Sequence, residues 1–356
     1  MSFTFDPLPQ PVVGPGESVF AAVGLDHPHI DGMTQGLLDA GGTLALVHDP
    51  DPGKVAAFTA RFPQARVADS EGQVLEDPDI RLVASAAVAA DRAPLGVRVL
   101  EAGKDFFADK PAITTLDQLE AAREATARTG GIFAVYYGER LTSESALLAG
   151  QLIDRGAIGR VLQVASFGPH RLGTGRPEWF FDPERYGGIL CDIGSHNFEQ
   201  MLHFTGATDG EIVSATVANY AHAETPGLQD FGDAHVVLDN GTTGYVRVDW
   251  FTPAGIDVFG DGRTIILGTE GYIELRKYID VATGNGGNQV LLVDQDGQHR
   301  FDATGMTGYP YFGRLIRDCL DRTETAMTQA HAFKAAELSI LAQTSARVLA
   351  QPPAGL

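Results

Sequence analysis

Over its first 137 residues this chain alternates short apolar runs with amphipathic stretches. The runs SVFAAVG (18–24), TLALVH (43–48), RLVASAA (81–87) and IFAVYY (132–137) have the length and the β-branched or aromatic content of strands. Phe106 and Phe107 open a further strand just before Asp109-Lys110-Pro111. Between them, the spacing of Ile30, Met33, Leu37 and Leu38 predicts a helix over 30–40, stopped by Gly41-Gly42. Similar patterns predict helices over 53–62, 91–102 and 115–129, ended by Pro63, Gly103 and Gly130-Gly131. A run as uniformly apolar as 81–87 suits a strand buried on both faces. Such alternation folds as a doubly wound parallel sheet with helices on both sides.

Beyond residue 138 the texture changes. Helices are expected over 142–155 and 192–204, with a strand at 161–168 between them. From there to about residue 300 strands follow one another, with a hairpin turn at Asn240-Gly241 and helix only after 309. Strands in succession without intervening helices build a mostly antiparallel sheet. The expected fold is therefore α/β plus α+β, with a Rossmann-type unit over 17–138 and a second domain on a large, mostly antiparallel sheet over 139–356.

The bulk properties narrow the function classes. With 44% hydrophobic and 20% charged residues the composition is that of an ordinary globular protein. No apolar run reaches the roughly 18 residues of a membrane span. The N-terminus, MSFTFDPLPQPVVGPGE, lacks a basic and an apolar segment and reads as an extended, Pro-rich lead-in without a secretion signal. The two cysteines, Cys191 and Cys319, are too few for a disulfide framework and fit a reducing cytoplasm. A formal charge of -20 opposes binding to nucleic acid. An anionic cofactor must accordingly be held by local dipoles and a few cations.

In a dinucleotide fold the diphosphate sits at the first strand-to-helix turn, on a G-x-G-x-x-G sequence. Here the turn reads Gly24-Leu25-Asp26-His27-Pro28-His29 and keeps only the first glycine. Asp26 and His29 occupy places where small residues normally admit the phosphates, and a ring N–H of His27 or His29 is a candidate phosphate donor. Asp49 ends the second strand, where a carboxylate accepts from adenosine ribose hydroxyls and repels a 2′-phosphate, favouring NAD over NADP. Asp49-Pro50-Asp51-Pro52 also reads as a capped turn opening a helix. The His-x-His of the turn raises metal-dependent hydrolysis, but the second half lacks the βα alternation of a barrel, and no metal is expected.

Two further segments carry chemistry. GKDFFADKPAITT (103–115) sets Lys110 at the edge of the parallel sheet where ligands bind, and YGGILCDIGSHNFEQMLHFTG (186–206) spaces Asp192 and His196 at i and i+4 on one helical face. Asp109-Lys110-Pro111 and Asp192-Ile193-Gly194-Ser195-His196 together resemble the Glu-Lys-Pro and glycine-led D-x-G-x-H motifs of the Gfo/Idh/MocA oxidoreductases. Order and context agree over residues 17–350. The resemblance implies that Lys110 orients a substrate hydroxyl and favours its alkoxide, that His196 is the general base in oxidation, and that Asp192 holds a substrate hydroxyl or orients the pair. It also implies cofactor contacts at Gly24, Asp26, His27, His29, Asp49, Ala87 and Lys110. An imidazole titrating near neutrality suits removal of the alcohol proton, and a nearby cation stabilises the oxyanion.

Each residue also has a plainer role: a solvated lysine, a helix N-cap, a satisfied histidine. His196, Glu199 and His203 share a helical face, a zinc alternative without an H-E-x-x-H pattern. Three places depart from the family pattern: the glycine loop, Ala86-Ala87-Val88 with Arg92, and Gly138-Glu139-Arg140. The loop 168–185 carries His170, Arg171, Arg176 and Trp179, of which Arg171 and Trp179 are expected at a sugar, or else in a packed connection. The activity implied is NAD-dependent oxidation or reduction of a secondary alcohol or carbonyl of a small polyhydroxylated substrate. NAD-retaining glycoside cleavage or epimerisation, and a non-catalytic ligand sensor, are the alternatives. A homodimer or homotetramer through the second sheet is the family expectation.

Overall fold

The computed structural model describes residues 11–350. The lead-in expected at the start of the chain lies, through residue 10, outside them. The described residues divide into two units, one holding residues 11–136 together with Pro310–Phe333, the other Tyr137–Tyr309 and residues 334–350.

The first unit is built on six strands: β1 (Val19–Val23), β2 (Thr43–His48), β3 (Arg66–Val67), β4 (Leu82–Ser85), β5 (Asp105–Asp109) and β6 (Phe133–Tyr136). All pairings are parallel, in the order β3-β2-β1-β4-β5-β6. This is the doubly wound dinucleotide-fold order, with its crevice where the order reverses, beside β1 and β4. Every residue of β4, β5 and β6 is buried, including the polar Ser85, Asp105 and Asp109 at the ends of otherwise apolar runs. The crossover helices are α1 (His29–Asp39), α2 (Pro52–Arg61), α3 (Glu71–Glu76), α4 (Ala89–Glu101) and α5 (Leu116–Thr129). Side chains of Asp51, Ser70 and Thr115 cap α2, α3 and α5 by accepting from amides of their first turns.

The helix Pro310–Asp321 also belongs to this unit, although the sequence reading gave the whole of 139–356 to the second domain. Phe312 lies 6.3 Å from Phe107 and 6.1 Å from Tyr136, and it fills the space beside Gly36 that a side chain on α1 would need. Amphipathicity reveals that such a helix has a core-facing side, but not which core it joins.

The second unit opens with α6 (Gly138–Leu141) and α7 (Glu144–Asp154), and α8 (Pro183–Tyr186), α9 (Ile189–Asp192) and α10 (Gly194–Thr205) follow the long strand β7 (Val161–Pro169). The remaining strands are β8 (Gly210–Ala218), β9 (Phe231–Leu238), β10 (Thr243–Asp249), β11 (Arg263–Gly268), β12 (Tyr272–Arg276), β13 (Ile279–Asp280), β14 (Asn285–Gly286), β15 (Gln289–Val293), β16 (Gln298–Asp302) and β17 (Arg347–Val348). Together with β7, eight of them form one nine-stranded sheet in the order β16-β15-β12-β11-β7-β10-β9-β8-β17, while β13 and β14 make a separate ribbon. The large sheet is antiparallel except where β7 meets β10 and β8 meets β17. The β9–β10 hairpin turns at Asn240-Gly241, and Gly241 takes the positive φ of +81° that such a turn demands.

Helix α10 packs on β7 and β10, and burial alternates along β9, β11 and β12. On the exposed positions of that alternation stand Val237, Ile265, Leu267 and Tyr272. Among the described residues no helix is long and apolar enough to cross a membrane.

Candidate active site

The first crossover keeps the shape of a dinucleotide turn. Gly24 has a φ of +75°, and a Cβ on it would come within 2.6 Å of the Ala87 Cβ, so the chain passes β4 at a distance only glycine allows. Dinucleotide folds seat a diphosphate on such a turn, and Gly24, Asp26, His27, His29, Asp49 and Ala87 are the residues expected to meet it here. The amides of this turn, however, are occupied within the protein. Leu25 N–H donates to Asp49 Oδ2 at 2.7 Å, His27 N–H to the Ala86 carbonyl at 2.9 Å, and His29 N–H to His27 Nδ1 at 3.3 Å. Ile30 and Asp31 donate back to the carbonyls of His27 and Pro28. Asp49 is buried, and its second oxygen accepts from Asp51 N–H at 2.8 Å, so this carboxylate fixes the turn itself. Asp26 accepts from Val88 N–H and pairs with Lys54 at 2.6 Å.

Behind the turn lies Asp109, wholly buried at the end of β5. Its Oδ1 is 2.8 Å from His29 Nδ1 and accepts from Lys110 N–H at 2.7 Å; its Oδ2 is 3.1 Å from both His27 Nδ1 and Arg92 Nη2. Burial alone would raise the carboxyl pKa, but His29, Arg92 and His27 hold it well below the usual carboxylate range. For His27 burial dominates and brings the imidazole down to about 4, against the pull of Asp109. Arg92 also donates from Nε to the Ala87 carbonyl at 2.7 Å and from Nη1 to the carbonyls of Lys110 and Pro111, tying β4, α4 and β5 together. Lys110 itself is buried at the carboxyl end of β5. The donor atoms of His27, His29 and Asp109 lie within 4.8 Å of one another, so the turn expected to be free of metal gathers three groups of metal-ligating type. Arg92 already supplies a cation to that carboxylate.

In the second unit Asp192 and His196 are both buried but do not share one uninterrupted helix. The expected helix over 192–204 breaks after Asp192: His196 N–H bonds to the Ile193 carbonyl at 3.2 Å, and the Asp192 carbonyl takes the Ser195 hydroxyl at 3.4 Å. Ile193, between the two helices, stays in the right-handed helical region. The Tyr137 ring stands edge-on to His196 at 6.2 Å. Glu139 receives Lys277 Nζ at 2.9 Å and the Tyr278 hydroxyl at 2.5 Å. Burial would raise its carboxyl, yet Lys277, His196 and His170 keep it well below the ordinary range. Glu199 pairs with Arg140 at 2.5 Å, which commits its carboxylate to a salt bridge rather than to a zinc set with His196 and His203.

The loop before α9 sorts its cations differently from expectation. Arg171 donates to the carbonyls of Pro253 and Ile256 and so holds a neighbouring loop. Trp179 lies half-buried against Phe180 at 5.2 Å. Arg176 instead is clamped between the Phe180 and Trp250 rings, 4.3 Å from each centroid; burial lowers its pKa while Asp192 supports its charge. His170 is buried against Trp250 and Phe259.

Trp250, Lys277 and Tyr278 escaped the sequence reading because no motif marks them: they end strands far along the chain from the residues they meet. Arg92 and Glu139 were visible there only as departures from a family pattern.

Residues 21–137 match the profile of an oxidoreductase family with an NAD-binding Rossmann fold, and residues 147–274 match the GFO/IDH/MocA C-terminal domain. A crystallised candidate oxidoreductase from Erwinia carotovora atroseptica is 51% identical, with a TM-score of 0.92 over 94% of this chain and 100% of that one. The scyllo-inositol 2-dehydrogenase (NAD(+)) of Bacillus subtilis is 25% identical over 78% of this chain and 80% of its own. A levoglucosan dehydrogenase solved with NADH and levoglucosan shares the fold, at 18% identity and a TM-score of 0.73, over 92% of this chain and 95% of that one.

Proposed function

This chain belongs to the Gfo/Idh/MocA family of NAD-binding oxidoreductases, and on that premise we propose that it oxidises or reduces a CH–OH or carbonyl carbon of a sugar, polyol or related cyclic substrate. The observation that carries this reading is Lys110, buried at the carboxyl end of β5 in a parallel sheet of dinucleotide-fold order. Relatives named for inositol, D-xylose and levoglucosan support the substrate class.

NAD, when bound, supplies the hydride acceptor. Gly24, Asp26, His27, His29, Asp49 and Ala87 are the residues that would hold it, and the Asp49 carboxylate favours NAD over NADP by opposing a 2′-phosphate. Lys110 orients the substrate hydroxyl and stabilises its developing oxyanion. His196 takes the hydroxyl proton in oxidation and returns it in reduction. Asp192, partnered in charge by Arg176, fixes a neighbouring substrate hydroxyl. Arg171 and Trp179 shape the loop over the substrate.

The first domain, 17–138, is assigned the cofactor, and the second, 139–356, the substrate and self-association. We place the protein in the cytoplasm, where its two cysteines, free and buried, stay reduced. The apolar positions on the outer face of the nine-stranded sheet fit a homodimer or homotetramer.

The test is nicotinamide absorbance across a panel of inositols, pentoses, hexoses and anhydrosugars. A substrate from that panel should reduce NAD. Lys110→Met and His196→Asn should each lower kcat/KM about a hundredfold or more with the fold intact by circular dichroism. Full turnover by Lys110→Met would refute the assignment.

A further inference from the structure

Lys277 is a buried cation with no part in the chemistry assigned to Lys110, Asp192 and His196. It follows β12 directly, and its backbone is held on both sides: its N–H donates to the Gly262 carbonyl at 3.2 Å, and its carbonyl accepts from Asn288 N–H at 2.9 Å. The side chain is only 2% exposed, yet among the described residues its ammonium has one hydrogen-bond partner, Glu139 Oε2 at 2.9 Å. An ammonium carries three N–H donors, so two remain for a ligand. Leaving such donors buried and unmet is costly.

Glu139 ties this ammonium to the candidate base. It stands on α6, which packs against α10: the Tyr137 ring is edge-on to His196 at 6.2 Å, and Arg140 pairs with Glu199, one turn beyond His196. His196 and His170 accordingly help to hold the Glu139 carboxyl down. Each Glu139 oxygen receives one donor, Lys277 Nζ or the Tyr278 hydroxyl, and keeps a lone pair. Lys277 and Tyr278 also line a cavity of about 680 Å3, together with Asn288, Arg300 and Asp302. Arg300 is matched there by Asp280 at 3.0 Å, as Lys277 is by Glu139. Cations already paired with carboxylates do not draw in a phosphate or a second carboxylate. Donors set beside acceptors suit the hydroxyls of a neutral polyol.

We propose that Lys277, fixed by Glu139, determines substrate choice by donating to a hydroxyl of a neutral sugar or polyol, on a carbon other than the one oxidised. The inference rests on the oxidoreductase reading above and adds which part of the substrate this unit recognises. That hydroxyl accepts from Lys277 Nζ and donates its own hydrogen to Glu139, and no covalent bond is made or broken. A compound without the hydroxyl leaves the buried ammonium unmet and is rejected for that reason.

Steady-state kinetics test it with NAD, the most active compound of the inositol, pentose, hexose and anhydrosugar panel, and the monodeoxy analogues of that compound. With the unmodified protein, an analogue lacking one hydroxyl away from the oxidised carbon should lose about ten- to a hundredfold in kcat/KM. Lys277→Met should lose a similar factor on the parent compound, mainly through KM, and should treat parent and analogue alike within about twofold. A lysine with a merely structural role would lower activity on both by one factor and keep their ratio, which would overturn the inference. Lys277→Met leaves Glu139 buried without its cation, so Lys277→Met combined with Glu139→Gln is measured beside it; removing both charges should give the same loss of discrimination. The analogue series on the unmodified protein depends on neither variant folding. Equal turnover of the parent and every analogue would overturn the inference and leave the oxidoreductase reading standing. A fall in kcat alone in Lys277→Met would overturn it too, by giving the lysine a part in the chemistry. Absence of NAD reduction by any compound would remove both.

Discussion

Asp109 stands where the family motif has a glutamate, and the structure uses it as the fixed point of the first unit: two imidazoles, a guanidinium and an amide converge on one buried carboxylate. Such a carboxylate is useful only if its partners stay in place, and His27 shows the cost. Its folded pKa is down at about 4, from 6.5, chiefly through burial. Below pH 6.5 the unfolded chain therefore binds a proton that the folded chain refuses, and stability falls with pH until the folded ring titrates near 4. The loss at that point is at most about 3 kcal/mol. Asp109 acts in a separate window: its lowered pKa stabilises the fold above the ordinary carboxylate range and is lost only in stronger acid. Urea unfolding at pH 7, 6 and 5 should show His27→Asn losing less stability on acidification than the unmodified protein. An identical pH dependence in the two would contradict the burial argument.

At the scale of elements, alternation and periodicity carried far. TLALVH is β2 to the residue, and the four helices expected in the first 130 residues lie within a residue or two of α1, α2, α4 and α5. Hydrophobic period and terminators determine such elements locally, and local signals are what a sequence displays. Less legible was whatever depends on partners distant in the chain. The break between α9 and α10 follows from which donor reaches the Asp192 carbonyl, and the clamp on Arg176 needs Trp250, seventy-odd positions away. Glu144 is a similar case. At the start of α7, its buried carboxylate accepts from Gly305 N–H at 2.7 Å, Gly308 N–H at 3.0 Å and Thr307 N–H at 3.1 Å. Three amides on one side chain order a loop that has no secondary structure of its own. Glu144→Gln offers one acceptor oxygen where two are used, and should cost about 1–3 kcal/mol. Hydrogen exchange at residues 303–309 should speed up in that variant, while β10 is unchanged; unaltered exchange in the loop would show that the carboxylate is not what holds it.

At the scale of the whole molecule, the second unit poses a question of solvation that its own residues do not answer. Helix α10 covers one face of the nine-stranded sheet, while the strands present Val237, Ile265, Leu267 and Tyr272 to water, each more than a third exposed. Ile265, Leu267 and Tyr272 stand on the adjacent strands β11 and β12 and form a patch, with Val237 apart on β9, and burying a patch of this kind is the usual driving force for self-association. A two-fold axis parallel to the sheet would let each copy cover the other with the same residues, the commonest solution for a homo-oligomer. The outer face also bears Asp233, His235 and Glu274, so its apolar part can be opposed by charge without touching the core on the other side. The doubly substituted Ile265→Glu, Leu267→Glu chain places like charges in the centre of such an interface. Light scattering should give the unmodified protein a mass of two or four chains and the double variant that of one, with its far-ultraviolet dichroism retained. A single-chain mass for the unmodified protein at micromolar concentration would leave this face bare in solution and refute the assembly.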